Sequence, residues 1–331
     1  MNILLIFITL WDYSYNVDCD FIYDDNIFAY SQEYLDDFIN QVRPYRFPFE
    51  THDDLISSID LGLLLRNKFF GNRTTTFNFD IRVNHYLVNN QKNYQILRIG
   101  IRQSFGRYAV KLSYYIIPNY LIRYYQNPQE ENSNYIGCEV QYQNVQGKFS
   151  YMPNPLLSIS IVYNRKWDDY REEFSLYDAN SHIVGFDSDI KVKKNLGLQF
   201  GYELKTSRID SLSAIETTSE PIPDGAYNQH TVDAGIMWGF RFLKPTEVKL
   251  LYRYYFRNYS TDFASDSMHY GRHDHNHRIL ISTGFKIFPG MKIEVSYLKQ
   301  WRIATSDIFP DIDEIKNYNK YRISCGLHFY H

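Results

Sequence analysis

One short segment of the chain, residues 266–277 (DSMHYGRHDHNH), concentrates side chains that could bind a metal ion. His273, His275 and His277 recur at every second position, which on a β-strand places all three imidazoles on one face. Imidazole nitrogen is a common ligand of zinc and other divalent metals. The polarity of a surface loop explains the same residues equally well, and we therefore predict no metal site and no cofactor.

A second set of residues could serve hydrolysis, because acids and histidines occur in the polar stretches between apolar segments. These residues are Asp210, Asp224, His230 and Asp262. Nucleophilic catalysis needs a serine or cysteine beside a base and an orienting carboxylate. The sequence has no GxSxG motif, and the four residues form no recognisable triad. We predict no catalytic residues, and a hydrolase with its site at the rim of the fold is the enzymatic alternative.

The composition limits the remaining classes of protein. Hydrophobic residues make up 44% of the 331 residues, with 31 Tyr and 23 Phe, which is too much apolar material for a disordered chain. No apolar stretch reaches the ~18 residues that a membrane-spanning helix needs. Lys plus Arg total 35 and Asp plus Glu 38, so no basic field indicates nucleic acid as a partner. Cys19, Cys138 and Cys325 are far apart, which disfavours disulfides and a structural zinc site.

From Leu55 onward the chain alternates apolar and polar residues in segments of about ten to fifteen residues. One segment has Val248, Leu250, Tyr252, Tyr254 and Phe256 on one face, with Lys249, Leu251, Arg253, Tyr255 and Arg257 on the other. Strands of soluble sandwiches average only about five or six residues. Ten or more residues at about 3.3 Å each cross a hydrocarbon layer, so the pattern predicts barrel strands with lipid outside and a wet lumen inside.

The connections between these segments alternate in length, which favours a barrel. Short turns are predicted at 152–155, 193–195, 243–246 and 288–290, and long polar stretches at 168–181, 209–226, 259–275 and 304–317. Outer-membrane barrels have short periplasmic turns and longer extracellular loops. The short side is therefore predicted to be periplasmic.

Thirteen strands can be counted from the alternation. They are 55–66, 74–88, 93–104, 107–125, 134–151, 156–168, 182–193, 195–207, 229–242, 246–259, 276–288, 291–303 and 318–330. Bacterial single-chain barrels have an even number, so we predict fourteen strands, with twelve as the fallback. The miscount is expected within 119–154, where the alternation slips near Asn144 as at a β-bulge.

The N-terminal region precedes this pattern. Residues 1–17 are predicted to be a signal peptide, because the apolar run from Ile3 to Trp11 has the length of a signal-peptide hydrophobic region. A buried strand is the alternative. Residues 18–54 form an acidic segment with one short amphipathic helix behind a Ser31 cap. Residues 55–331 form the barrel. We expect the acidic segment to plug the periplasmic mouth, with a solvated linker as the alternative.

The C-terminal strand resembles the closing strand of Gram-negative outer-membrane proteins, which ends in an aromatic residue. In Tyr321-Arg-Ile-Ser-Cys-Gly-Leu-His-Phe-Tyr-His331 the final Phe of that family stands at Phe329. The segment Gly271-Arg272-His273-Asp274, the strand Arg278 to Lys286, Tyr297 and Ser306 are similar to the last hairpins of surface lipoprotein assembly modifiers. The tetratricopeptide repeats of those proteins are absent, so their translocation activity is not implied.

The predicted inward face carries more bases than acids. Its predicted pore-lining residues are Arg82, Arg98, Arg102, Arg241, Lys249, Arg253, Arg257, Glu294 and Arg302. Rings of Arg and Lys in a water-filled pore attract anions. An interlocked network of ion pairs that fills the lumen is the alternative. On the outward face we expect Cys138, Cys325, Lys299 and Arg165, together with an aromatic girdle that includes Trp167, Trp301, Tyr163 and Tyr297.

Together these patterns predict an all-β, antiparallel up-and-down transmembrane barrel in the outer membrane. We expect a porin-like passive channel or a structural barrel without catalytic activity, whose basic lumen favours anionic solutes. Its expected partners are outer-membrane lipid and the barrel assembly machinery. The alternatives are the rim hydrolase and a soluble, lipocalin-like ligand-binding barrel.

Overall fold

The computed structural model describes residues 11–71, 73–127, 134–209, 225–262 and 266–331. It contains fourteen strands and two short helices in these ranges. The strands are β1 (Asp12–Asp24), β2 (Asp54–Phe69), β3 (Arg73–Tyr86), β4 (Tyr94–Phe105), β5 (Tyr108–Gln126), β6 (Tyr135–Asn154), β7 (Leu157–Tyr170), β8 (Ala179–Lys193), β9 (Leu196–Ile209), β10 (Tyr227–Arg241), β11 (Pro245–Tyr259), β12 (Arg272–Phe288), β13 (Met291–Ser306) and β14 (Tyr318–Tyr330). The helices are α1 (Gln32–Ile39) and α2 (Ile312–Lys316).

The strands form a closed antiparallel barrel. Each strand pairs with its neighbours in the chain, and β1 pairs with β14 to close the cylinder, with Asn16 opposite Tyr330 and Asp24 opposite Arg322. The predicted fold class and the count of fourteen are confirmed. Closure leaves no strand edge unpaired, as the hydrocarbon region of a membrane requires.

The fourteenth strand is β1, so the predicted location of the miscount within 119–154 is wrong. The barrel begins at Asp12 rather than at Leu55, and β1 crosses the predicted boundary at residue 17. Alternation in β1 places Asp18, Asp20 and Asp24 on its inward face, where a polar lumen tolerates acids. Because this stretch is rich in acids, its sequence pattern does not predict the strand that the structure contains. Residues 1–10 of the predicted signal peptide lie outside the described residues.

The predicted phase slip is present, but it lies in a different strand. The register shifts in β5, between Ile117 and Tyr120 and again between Leu121 and Arg123, whereas Asn144 pairs regularly with Tyr115. β6 itself keeps one phase, because Cys138, Asn144 and Lys148 share a face and the pairing of β6 with β7 is regular from Val140 to Tyr151. Cys138 is consequently buried on the inward side with Val140, which corrects its predicted outward position, and Glu139 falls on the opposite face.

Large apolar side chains cover the outside of the barrel. Exposed rows include Leu55, Ile59, Leu61 and Leu63 on β2, and similar rows continue around the cylinder. A lipocalin-like arrangement, in which these rows would face inward, is excluded. None of the helices in the described ranges has the length and apolar character that crossing a membrane requires.

The two ends of the barrel differ in the length of their connections. One end has short connections at 70–72, 106–107, 155–156, 194–195, 242–244 and 289–290. The other has connections at 25–53, 87–93, 127–134, 171–178, 210–226, 260–271 and 307–317. We call these the short-turn end and the long-loop end. The start of β1 and the end of β14 both lie at the short-turn end, which is the periplasmic side in outer-membrane barrels.

The pairing of β1 with β14 can be tested by cross-linking the two strands. Cys19 lies directly opposite Leu327 on the outer face, at the spacing of paired strands that a disulfide can bridge. We expect Leu327→Cys, in a Cys325→Ser background, to form a disulfide with Cys19 on mild oxidation. Peptide mass spectrometry detects the linked pair. Ile323→Cys in the same background lies opposite Tyr23 and should not cross-link; equal cross-linking of both variants would contradict this register.

Candidate pore and the segment that narrows it

Side chains alternate along each barrel strand, so every strand has one face toward the lumen. The predicted pore-lining residues all lie on these inward faces. Arg82, Arg98 and Arg102 stand on β3 and β4, while Arg241, Lys249, Arg253, Arg257, Glu294 and Arg302 stand on β10, β11 and β13. They alternate with exposed apolar residues of the outer face. Their role in conduction stays a prediction.

One side of the lumen is acidic, which the sequence pattern did not reveal. Asp18 and Asp20 of β1 stand beside Asp60 of β2 and Asp80 of β3. Arg82 contacts Asp60 at 2.6 Å, and His328 of β14 contacts Asp18 at 2.9 Å. These acids reduce the predicted excess of bases, because four inward aspartates, Asp12, Asp18, Asp20 and Asp24, belong to β1.

Basic residues on β4 to β6 lie in direct register. Arg102 is opposite Lys111, and Lys111 is opposite Lys148, so three cations stand side by side on one rung; we call them the basic rung. Like charges directly opposite each other destabilise a sheet. Lys148 contacts Asp187 at 2.8 Å, whereas Arg102 and Lys111 form no ion pair with any described residue. The basic rung therefore presents uncompensated positive charge to the lumen near the short-turn end.

A polar cavity of about 400 Å³ lies further along the lumen, against β8 to β12. Arg253 forms a two-bond ion pair with Asp233, one of whose bonds measures 2.9 Å. Arg278 is directly opposite Arg253 and forms no ion pair within the described ranges. Asp187 and Glu203 also line the cavity. Both signs of charge are thus present, which suits a hydrated lumen.

The connection between β1 and β2 folds into the long-loop end of the barrel. Ile27, Phe28 and Phe49 are buried against inward side chains of the barrel wall, among them Ile56 and Tyr86. Arg123 of β5 donates hydrogen bonds to the carbonyl oxygens of Phe28 (2.7 Å) and Ala29. We call residues 25–53 the inserted segment. It occupies part of the mouth on the side of β1 to β5.

The predicted helix of this region is present as α1. The Ser31 hydroxyl accepts a hydrogen bond from the Tyr34 amide at 3.3 Å, as the predicted cap requires. Tyr34, Leu35 and Phe38 pack against the buried cluster. The predicted position at the periplasmic mouth is wrong, because β1 crosses the barrel before α1 and places it at the long-loop end.

A buried lysine of the barrel wall contacts the inserted segment. Lys92, in the turn between β3 and β4, is fully buried, and its Nζ donates to the carbonyl oxygen of Leu121 at 2.6 Å. The same ammonium lies 4.9 Å from the Phe28 ring centre and 4.7 Å from that of Tyr120. Burial lowers the pKa of Lys92 to about 7. The cation–π contacts of Lys92 with Phe28 of the inserted segment and with Tyr120 of β5 hold the segment against the barrel wall.

The histidine-rich segment does not form a metal centre in the described part of the chain. His273, His275 and His277 share the outer face of β12 as predicted, but aromatic rings separate them. Phe256 lies 5.1 Å from His275, and Trp301 stacks on His277 at 4.8 Å between ring centres. Sequence periodicity predicted the shared face; it did not reveal the interleaved rings.

The residues considered for hydrolysis do not assemble where the structure describes them. His230 lies on the outer face of β10, where its Nδ1 hydrogen-bonds the Tyr202 hydroxyl at 2.8 Å. Asp262 lies exposed in the connection that follows β11. Asp210 and Asp224 fall outside the described residues.

The closed cylinder, its apolar exterior and its charged interior define this protein as an outer-membrane β-barrel. Solved structures with a similar fold include an anion-selective porin from Comamonas acidovorans (9% identity, TM-score 0.48, covering 97% of this chain and 99% of that one). A second is in-vitro folded OmpT, an outer membrane protein of Vibrio cholerae, in its trimer form (6% identity, TM-score 0.49, covering 97% of this chain and 99% of that one). A third is CdiB from Acinetobacter baumannii (10% identity, TM-score 0.49, covering 96% of this chain and 60% of that one). No protein-family model and no curated protein matches the sequence.

Proposed function

We propose that this protein is a passive, non-enzymatic channel of the outer membrane that favours anionic solutes and is narrowed at its long-loop end. The observation that carries the proposal is the basic rung. Arg102, Lys111 and Lys148 stand in register on adjacent strands with one ion pair to Asp187 among them. A barrel that served only as a scaffold would be more stable with acids or neutral residues at these positions.

The physical effect of such a rung on ions is direct. Uncompensated cations in a water-filled pore lower the electrostatic energy of an anion and raise that of a cation. The acidic wall of β1 to β3 adjoins β4 in the same lumen, so acids and bases occupy neighbouring sectors of the barrel wall. Anions therefore have a favourable path along β4 to β6.

Selectivity in planar bilayers tests the proposal. With a potassium chloride gradient, the reversal potential of the wild-type protein should indicate preference for chloride. Arg102→Gln/Lys111→Gln should lower the anion-to-cation permeability ratio by about five- to thirtyfold, since each of the two lumen charges contributes on the order of 0.5–1 kcal/mol in a hydrated pore.

A matched control separates lumen charge from total charge. Lys194→Gln/Lys244→Gln removes the same two charges from exposed positions in short turns and should leave the reversal potential unchanged. Cation preference in the wild type would refute the anionic preference. Absence of any conductance, in a preparation shown to be folded by heat-modifiable gel migration, would refute the channel and favour a structural barrel.

A further inference from the structure

The outer face of the barrel carries a repeated pair of side chains that a hydrophobic exterior does not require. Four tyrosine hydroxyls hydrogen-bond the Nδ1 atom of a histidine on the neighbouring strand, at 2.7–2.8 Å. The pairs are Tyr163–His182, Tyr202–His230, Tyr252–His277 and Tyr254–His275. We call these eight residues the Tyr–His belt.

The belt follows one geometric rule. Each pair joins two strands that are connected at the long-loop end, namely β7 with β8, β9 with β10, and β11 with β12. In each pair the tyrosine is diagonal to its histidine: Tyr163 lies opposite Val184, two residues beyond His182. The histidines fall three to five residues from the start of their strands, so the belt follows the long-loop side of the apolar exterior.

Each of these hydrogen bonds can form with the tyrosine hydroxyl as donor and the histidine Nδ1 as acceptor. When the phenol donates to Nδ1, the neutral imidazole carries its proton on Nε2. An N–H group at the border of the hydrocarbon layer needs an acceptor. In this tautomer the belt presents a row of Nε2–H donors to the groups that border the barrel there.

Cations accompany the pairs on the same face. Arg165 lies directly opposite His182, and its guanidinium is 5.1 Å from the Trp167 ring centre. Lys299 lies two residues from Trp301, which stacks on His277. Long basic side chains at this depth direct their charges to the headgroup region. Donors and positive charges thus converge where lipid headgroups begin.

The densest part of the belt contains a groove. Val232, Tyr252, Tyr254, His275 and His277 line a space of about 390 Å³ on the outer face of β10 to β12. Two imidazoles face this space between aromatic walls. Phosphate oxygens are strong acceptors for N–H donors and for cations, and acyl chains fit the apolar rows that continue from the groove.

We propose that the Tyr–His belt binds the phosphate groups of membrane-lipid headgroups, with the groove between β10 and β12 as its principal site. This interaction does not depend on conduction. It fixes the depth and the rotation of the barrel in the membrane, because the belt is confined to one end of the cylinder and to the strands β7 to β12.

Native mass spectrometry of the full chain in neutral detergent tests the proposal. Phosphatidic acid and diacylglycerol with identical acyl chains differ by the phosphate alone, so the wild type should retain the first and not the second. His275→Phe/His277→Phe keeps the aromatic stacking and removes both donors. It should weaken retention of phosphatidic acid about a hundredfold, as expected for the loss of two hydrogen bonds to a charged group at about tenfold each.

Controls make each outcome decisive. His85→Phe removes an exposed outward histidine of β3, which is hydrogen-bonded to Asn93 instead of tyrosine, and should leave retention unchanged. His275→Gln/His277→Gln retains a donor near Nε2 and should restore part of the retention, which also guards against a misfolded Phe variant. Equal retention of diacylglycerol, or unchanged retention in both double variants, would overturn the proposal. Full displacement by equimolar inorganic phosphate would overturn the assignment to lipid.

Discussion

Removing the body of the inserted segment is expected to increase single-channel conductance by about twofold or more, since conductance follows the free cross-section of a water-filled lumen. The change replaces residues 28–51 with a four-residue Gly/Ser linker. Asp24 lies directly opposite Asp54, and the Ile27 amide donates to the His52 carbonyl oxygen at 2.9 Å, so a short turn can join the ends. Single-channel recording in planar bilayers gives the measurement.

The deletion also changes charge, and a control separates the two effects. Residues 28–51 hold four acids and two bases, so their removal makes the protein more positive by two charges. Glu33→Gln/Asp36→Asn makes the same change with the segment intact. That variant should leave conductance close to the wild-type value. If the deletion variant conducts like the wild type, the segment does not narrow the path of ions.

The second large effect is expected at the seam between β1 and β14. Asp24 is fully buried and binds Lys320 at 2.9 Å and Arg322 at 2.6 Å. Its carboxylate also accepts the Asn26 amide at 3.1 Å, where the inserted segment begins. Asp24→Ala should lower the free energy of unfolding by about 3–5 kcal/mol, because the buried Lys320 then loses its ion pair and Arg322, whose side chain is 38% exposed, loses its own. Urea titration in lipid vesicles measures this loss.

An exposed ion pair of the same segment is the control. Asp37 of α1 binds Arg43 at 3.0 Å, and the Arg43 side chain is 51% exposed. Asp37→Ala should cost about 0–1 kcal/mol, since water replaces the lost interaction. Similar midpoints for the two variants would show that the Asp24 cluster does not hold the seam.

The role of Asp24 illustrates why the sequence alone misplaced the start of the barrel. Asp18, Asp20 and Asp24 look like solvated acids when charge is counted along the chain. Their partners His328, Lys320 and Arg322 lie some three hundred residues away, on β14. Local patterns contain no information about such a distant strand, so the sequence alone divides β1 between a signal peptide and an acidic segment and places both outside the barrel.

The bulges in β5 had a similar consequence. Alternation through residues 119–154 slips, and the sequence showed that a slip occurs without showing which strand holds it. The slip lies in β5 and not in β6, so Cys138 keeps the phase of Asn144 and is buried beside Val140. Register is a property of paired strands, and a shift of one residue moves every following side chain to the other face.

The amino-acid sequence by itself determined the barrel class, the two faces of its strands, the asymmetry of its connections and the Ser31-capped helix. Each of these depends on residues close together in the chain, because strand periodicity and helix capping are local. Tertiary structure alone decided the closing strand, the end at which the inserted segment lies, the basic rung and the Tyr–His belt. These depend on which residues stand opposite each other across strands, and only closure and register set those pairings.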